Sequence, residues 1–290
     1  MQSEETAVPL ATPPKAPRGA SQPVRERPMR YEFTALSDTG RVRQNNEDSV
    51  QFDTDCGVAV LADGMGGYNA GEVASEMATT TITLALSAWI GRVGPNVPVR
   101  EAFRAMESVV AQANRDIFEA ANAHPSYAGM GTTLVAGIFL EHSLVLGHIG
   151  DSRAYRWRRG VLPQLTRDHS LLQEQLDAGL ITPAEAATSG NRNLVTRALG
   201  VEEYVELEVH EHRVEPGDLY LFCSDGLTDM VEDAAIAVLM GRNEADDARA
   251  RRLVEHANAC GGRDNISVLL ARAGASGEGT PGFMARLLGK

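Results

Sequence analysis

Between residues 31 and 272 the chain switches repeatedly between two kinds of apolar patterning. YEFTALSD (31–38), DSVQFDT (48–54) and GVAVLAD (57–63) are short runs of β-branched, aromatic and apolar residues bounded by Gly, Asp and Asn, the pattern of strands. Residues 71–91 and 99–123 carry helical spacing: Val73, Met77, Thr80 and Leu84, then Ala102, Met106, Val109, Ala113 and Ile117. GTTLVAGIFL (131–140), SLVLGHIGD (143–151) and RAYRWRRG (153–160) follow as strand-like runs with short turns between them. Consecutive runs of this kind favour antiparallel pairing over βαβ crossovers. Strands return at YVELEVHEH (204–212) and DLYLFCSD (218–225). Helices are expected at about 232–240 and 244–259, and NISVLLARA (265–273) closes the patterned region.

Residues 166–200 interrupt this rhythm. They read as a short helical insertion, with a helix start at Thr182-Pro183-Ala184-Glu185. Outside the patterned region, residues 1–30 are rich in Pro, Ala, Arg and Glu and poor in large apolar groups, so a flexible tail is expected. Residues 274–290 open on a Gly/Ser linker and close on GFMARLLGK. That piece is too short to hold a bilayer firmly, and a second flexible tail is expected rather than an anchor. One domain, 31–273, therefore lies between two tails, with no repeat.

Composition narrows the class. A net charge of −12 argues against a nucleic-acid partner, because phosphate backbones attract basic faces. Three widely spaced cysteines, Cys56, Cys223 and Cys260, form no CxxC pair and suit a reducing compartment better than disulfides or zinc. The N-terminus carries Glu4 and Glu5 and no secretory core, and no run approaches the roughly 20 apolar residues of a membrane span. A cytoplasmic protein without a membrane anchor is expected.

The chemistry lies in where the acids sit. VAVLADG ends an apolar run on Asp63, LVLGHIGDS on Asp151 and LYLFCSDG on Asp225. Glu47 and Asp48 head one strand, and Asp264 immediately precedes another. A single Asp-Gly is ordinary turn chemistry. Acids gathered at strand ends instead repel one another unless cations neutralise them. Hard oxygen donors without His or Cys select Mg²⁺ or Mn²⁺ over zinc. Two such ions can hold a bridging water for in-line attack at phosphorus. Gly64 would let its backbone carbonyl approach an ion beside Asp63. A phosphate-cradling loop fails, since neither GxxxxGK[ST] nor GxGxxG spacing is present.

With these residues in view, the chain resembles the bacterial metal-dependent Ser/Thr protein phosphatases of the protein phosphatase 2C type (PPM family). The resemblance runs in order through SDTGRVRQNNEDS, LADGMGGYNAGEVAS, GMGTTL, HIGDSRAY, LTRDHS, LVTRALG, LFCSDGLTDM and GGRDNISV. It implies an α+β fold, a four-layer α-β-β-α sandwich of two antiparallel sheets flanked by helix pairs, with metals at one end of the sandwich. Asp63 matches the acid bridging two metals. Asp225 and Asp264 match the remaining ligands of one metal, and Glu47 with the Gly64 carbonyl those of the other, with Asp48 supporting the shell. Arg43 matches the arginine that binds the substrate phosphate, a task suited to a guanidinium fork. Asp151 and Asp229 match a weaker third metal site, and 166–200 the flap implicated in substrate choice.

The implied activity is hydrolysis of phosphoserine and phosphothreonine by a hydroxide bridging two Mn²⁺ or Mg²⁺ ions, without a covalent phosphoenzyme. The partners would be phosphorylated proteins and a cognate Ser/Thr kinase, and a monomer is expected. One position departs from the animal pattern: Met65 stands where those members keep a histidine proposed as general acid. Leaving-group protonation then falls to water at the metals. His169 is read as a polar flap-surface or capping residue before it is read as a substitute acid. His148 is read as a strand residue behind Asp151, and Cys223 as core. Two rivals differ in class. A non-catalytic binding module is opposed by the complete set Glu47, Asp63, Asp225 and Asp264, and a phosphohydrolase of small molecules is separable only by a substrate panel.

Overall fold

A computed structural model describes residues 29–67, 70–188 and 194–275. The two expected tails fall outside the described residues, except that paired strand reaches Met29 and Ala275, two residues beyond each expected domain bound. Ten strands and seven helices alternate along it: β1 (Met29–Asp38), β2 (Asp48–Asp53), β3 (Val58–Met65), α1 (Ala70–Val93), α2 (Val99–Ala123), β4 (Gly131–Thr132), β5 (Leu134–Phe139), β6 (Ser143–Ile149) and β7 (Arg153–Trp157). There follow α3 (Leu171–Asp177), α4 (Pro183–Thr188), β8 (Glu208–Arg213), β9 (Leu219–Cys223), α5 (Asp225–Thr228), α6 (Asp233–Met240), α7 (Asp246–Ala259) and β10 (Ile266–Ala275).

The alternation within β3 explains the layering. Val58, Val60 and Ala62 pack with α1 and α2, while Ala59 and Leu61 point the other way and are equally dry. In β9, Leu219, Leu221 and Cys223 pack toward α6 and α7, while Tyr220 and Phe222 join Ala59 and Leu61. Strands buried on both faces carry continuous apolar runs because each face has its own neighbour. The three hydrophobic clusters are thus the three interfaces of four stacked layers: helix pair, sheet, sheet, helices. One sheet has the order β2-β3-β5-β6-β8 with β4 also on β3, the other β1-β10-β9-β7. All these ladders are antiparallel; β5 and β6 pair across a short turn as expected, but β7 crosses to the other sheet and pairs with β9 instead of β6. In the middle layer Phe139 meets Tyr31 at 4.9 Å, Phe33 at 5.4 Å and Tyr220 at 5.5 Å between ring centroids.

Three local readings change. The run 131–140 divides at Thr133, whose N–H donates to the Asp63 carbonyl at 2.9 Å and whose hydroxyl accepts from Asp63 N–H at 3.0 Å. The strand expected from 204 begins only at Glu208, opposite His148, because β6 ends at Ile149 and offers nothing further to pair with. The strand expected over 218–225 stops at Cys223, and Asp225–Thr228 closes a helical turn through Asp229 N–H to the Asp225 carbonyl at 2.7 Å. The insertion is helical as expected. Thr182 and Glu185 form a reciprocal cap in which Thr182 N–H donates to the Glu185 carboxylate at 2.8 Å and Glu185 N–H to the Thr182 hydroxyl at 3.3 Å.

No helix among the described residues is long and apolar enough to cross a membrane. Phe222 is fully buried between the sheets. Phe222→Ala is expected to lower stability by about 3–5 kcal/mol in urea titration, the usual cost of an aromatic cavity.

Candidate active site

The register of β2 and β3 sets the site. Asp48 stands directly opposite Asp63, so the first residue of one strand and the last apolar-run acid of the other share an end of the sandwich. Beyond Asp63 the chain is pressed from both sides. Gly64 N–H donates to the Glu47 carbonyl at 3.0 Å, and a Cβ on Gly64 would fall 2.1 Å from the Gly71 oxygen and 2.5 Å from that of Glu47. A Cβ on Gly71 would in turn lie 2.9 Å from the Glu47 carboxylate. Only glycine at both positions lets α1 begin against the β3 end with Glu47 beside it. Ser75, one turn into α1, donates its hydroxyl to the Glu47 carbonyl at 2.6 Å.

The second sheet delivers the other acids. Asp225 opens α5 at the end of β9, and Asp264 precedes β10. Asn265 ties the two halves together. Its side-chain oxygen accepts from Glu47 N–H at 2.8 Å, and its amide donates to the carbonyls of Thr39 and Asn45 at 3.0 and 2.9 Å. Ser224 donates to Asp48 at 2.8 Å. Asp151 follows β6 through Gly150 (φ +97), and its neighbour Ser152 shares a 2.7 Å hydroxyl contact with Thr133.

These segments enclose an open cleft of about 190 Å³. Of the residues expected at a site, Arg43, Glu47, Asp63, Gly64, Asp151, Asp225 and Asp264 line it. Asp48 sits behind Asp63 with its Oδ1 buried, and Asp229 stands one helical turn beyond Asp225. Met65 also lines the cleft, as do Thr133 and the flap residue Val195, which sequence reasoning did not single out. Thr133 was visible only as part of GMGTTL, and Val195 as one valine in LVTRALG. Asn265 and Ser224 were missed likewise; each is the neighbour of an expected acid, the one signal that marked them.

The electrostatics are those of acids without counter-charge. Burial, then Asp48, Asp225, Asp151 and Asp264, push the Asp63 carboxyl well above the ordinary range. Asp225 is raised in the same way, by burial first and then by Asp151 and Asp229. Burial also lifts Asp48 to about 6, and burial with Asp168 lifts Asp151 to about 6. The Asp48 Oδ1 is buried without a hydrogen-bond partner. Oxygen donors, an orphaned carboxylate oxygen and glycines cleared for close approach fit hard divalent cations. Arg43, with a half-exposed side chain, is the cation of this group; its Nη2 donates to Asp264 at 2.6 Å. His169 does not line the cleft. Its ring is largely buried against His148 and Glu208, and Ser170 caps the helix that follows, so the flap-surface or capping reading of His169 does not hold.

The protein phosphatase 2C family model matches residues 39–254. The chain belongs to the protein phosphatase 2C family. Among its relatives, the serine/threonine phosphatase stp of Listeria innocua is 37% identical over 245 residues, covering 83% of this chain and 95% of that one. The serine/threonine protein phosphatase PstP of Mycobacterium tuberculosis is 40% identical over 239 residues, 82% of this chain and 44% of PstP. The crystal structure of the M. tuberculosis phosphatase PstP/Ppp superposes with a TM-score of 0.77 at 39% identity, over 84% of this chain and 98% of that one. The catalytic domain of PstP has been solved with two manganese ions, at a TM-score of 0.74 and 37% identity, over 85% of this chain and 99% of that one. The four-layer fold expected for a phosphatase 2C chain is therefore the fold observed.

A carboxyl whose folded value is raised favours folding below its ordinary value of 3.8 and opposes it increasingly as pH rises toward the folded value. Metal-free Asp63→Asn is thus expected to melt several degrees above the metal-free parent near pH 7 by calorimetry, with the gap closing toward about pH 4. A parent melting at or above the variant at neutral pH would contradict the charge crowding.

Proposed function

We propose that this chain is a metal-dependent protein phosphatase that hydrolyses phosphoserine and phosphothreonine esters on proteins, opposing a Ser/Thr kinase. The observation that carries the reading is the convergence of Glu47, Asp63, Asp225 and Asp264 on one cleft together with a single guanidinium, Arg43. In this reading Asp63, Asp225, Asp264 and Glu47, with the Gly64 carbonyl, hold two Mn²⁺ or Mg²⁺ ions. Asp48 braces the set from behind, and Asp151 with Asp229 provides a third, weaker seat. The ions, when bound, supply Lewis acidity that activates water and neutralises phosphoryl charge.

The side chains supply position and charge. Arg43 is paired with Asp264 through one nitrogen, and its half-exposed guanidinium lines the cleft, a fork suited to phosphoryl oxygens. Thr133 is the hydroxyl residue among the described cleft-lining residues, and its oxygen is already engaged with Asp63 N–H and Ser152. No cysteine or histidine lines the described cleft, which supports attack by water over a covalent phosphoenzyme. Met65 and Val195 add an apolar flank beside the acids, against which the side chain bearing the phosphate can rest.

With p-nitrophenyl phosphate as substrate, EDTA is expected to abolish hydrolysis and Mn²⁺ to restore it, while Asp63→Asn stays at least about a hundredfold down under saturating Mn²⁺. Full activity in EDTA would sink the two-ion account. Arg43→Ala is expected to raise KM for a phosphothreonine peptide on the order of tenfold, the scale of one charge-assisted contact. A panel of phosphopeptides against sugar phosphates and nucleotides decides the substrate class, and preference for the small molecules would overturn the protein-phosphatase assignment.

A further inference from the structure

The foot of the flap grips the Asp151 turn from both sides. On one side, His169 N–H donates to the Gly150 carbonyl at 2.9 Å, and Gly150 N–H donates back to His169 Nδ1 at 3.1 Å. On the other, Asp168 takes a two-pronged bond from Arg153, with Nε to Oδ1 at 2.9 Å and Nη2 to Oδ2 at 2.6 Å. The residues held, Gly150 and Arg153, bracket Asp151 and Ser152. The same foot carries the cleft-lining part of the flap: Thr196 N–H donates to the His169 carbonyl at 2.8 Å, and Ser170 bridges Val195. Hydrogen bonds therefore run from Thr196, next to Val195, through His169 to Gly150, next to Asp151.

The tautomer follows from the donors around the ring. Since Nδ1 accepts an amide hydrogen, the neutral ring carries its own hydrogen on Nε2, which points at Glu208 Oε2 at 3.2 Å. Glu208 in turn binds His210 at 2.7 Å, and His148 stacks on His169 with centroids 4.7 Å apart while donating to the Arg167 carbonyl at 2.8 Å. Donor atoms of His148, His169 and Glu208 lie within 4.8 Å of one another, as a transition-metal seat requires. With an amide hydrogen on one nitrogen and a proton on the other, however, His169 has no lone pair left for a metal. The cluster is a hydrogen-bond network.

We propose that His169 is a positioning residue of this phosphatase: as a neutral imidazole it locks the Asp151 turn to the foot of the flap, so that Asp151 and Val195 keep fixed places in the cleft. The assignment rests on the phosphatase reading above. A protonated ring would present N–H to the Gly150 N–H and break the lock. The groups facing the ring are His148 from β6, Glu208 and His210 from β8, Arg197 from the end of the flap and Asp168 beside it. Burial, ahead of the Glu208 hydrogen bond that opposes it, holds the ring below the ordinary imidazole value of 6.5. The lock is therefore closed at neutral pH and opens only on acidification below that value.

The test uses the full chain, nitrogen-15 labelled and metal-free, with His169→Leu and His169→Asn. An asparagine Oδ1 can replace Nδ1 as acceptor, whereas leucine cannot. In the parent, NMR should find the hydrogen on Nε2 and the Gly150 amide protected from exchange. His169→Leu should speed Gly150 exchange about tenfold or more, and His169→Asn should stay within about threefold of the parent. In Mn²⁺, kcat toward a phosphothreonine peptide should fall on the order of tenfold in His169→Leu and recover in His169→Asn. The parent should lose Gly150 protection between about pH 7 and pH 5, after correction for intrinsic rates, and His169→Asn should not. A hydrogen on Nδ1, or equal Gly150 exchange in the parent and His169→Leu in an active enzyme, overturns the positioning role alone. A parent inert toward phosphopeptides overturns the phosphatase reading and the positioning role with it.

Discussion

Asp48 and Asp63 face each other across one ladder, and Asp225, Asp151 and Asp264 come up to them from three other segments. Like charges about 4 Å apart repel by roughly 4 kcal/mol each at the effective dielectric of a protein edge, and burial adds a desolvation cost to every ion. A fold seeking stability alone would not gather them. The raised carboxyls of Asp63 and Asp225 are the internal record of that crowding in the metal-free chain. Divalent cations would offset that cost, and the proposed reading therefore places the two ions among these acids.

The crowding is sustained by three dry interfaces. Strands apolar on both faces lock each sheet between a helix layer and its partner sheet, so the strand ends cannot drift apart to relieve the repulsion. Short polar side chains then fix the acids individually. Asn265 joins the loop before β2 to the start of β10, Ser224 holds Asp48, and Thr133 pairs both backbone groups of Asp63 at the break between β4 and β5. None of these residues needs to touch a substrate. Their work is to keep acids from two sheets at fixed separations.

The flap is attached to this framework rather than laid over it. Asp168 and His169 hold the turn that carries Asp151, and the strand-like contact of Ser170 with Val195 brings the far end of the flap back to the cleft. In the positioning role proposed for His169, Val195 and the Asp151 turn share one support.

Much was legible in the chain itself. Short apolar runs bounded by turn residues announced the strands, and helical spacing announced α1, α2, α6 and α7, because local burial leaves a local pattern. Asp63, Asp225 and Asp264 stood out through their place at strand ends. Less legible were features that depend on what a segment meets elsewhere. The late start of β8 reflects where β6 stops, and β9 ends at Cys223 where a helical turn takes over at Asp225. Thr133, Ser224 and Asn265 sit inside the matched motifs GMGTTL, LFCSDGLTDM and GGRDNISV but carry no periodic signal of their own, since one hydrogen bond to a distant backbone leaves no trace in neighbouring residues. By itself, then, the sequence marked the strands and helices and nominated the acids, while the layering followed from the resemblance to the phosphatase 2C family. Only the tertiary structure decided that Val195 and Arg43 share the cleft with them, that Asp48 stands behind, and that His169 faces Glu208 and Gly150 instead of the cleft. Those facts are set by ladder register and sheet-on-sheet packing between residues far apart in the chain, which no short stretch encodes.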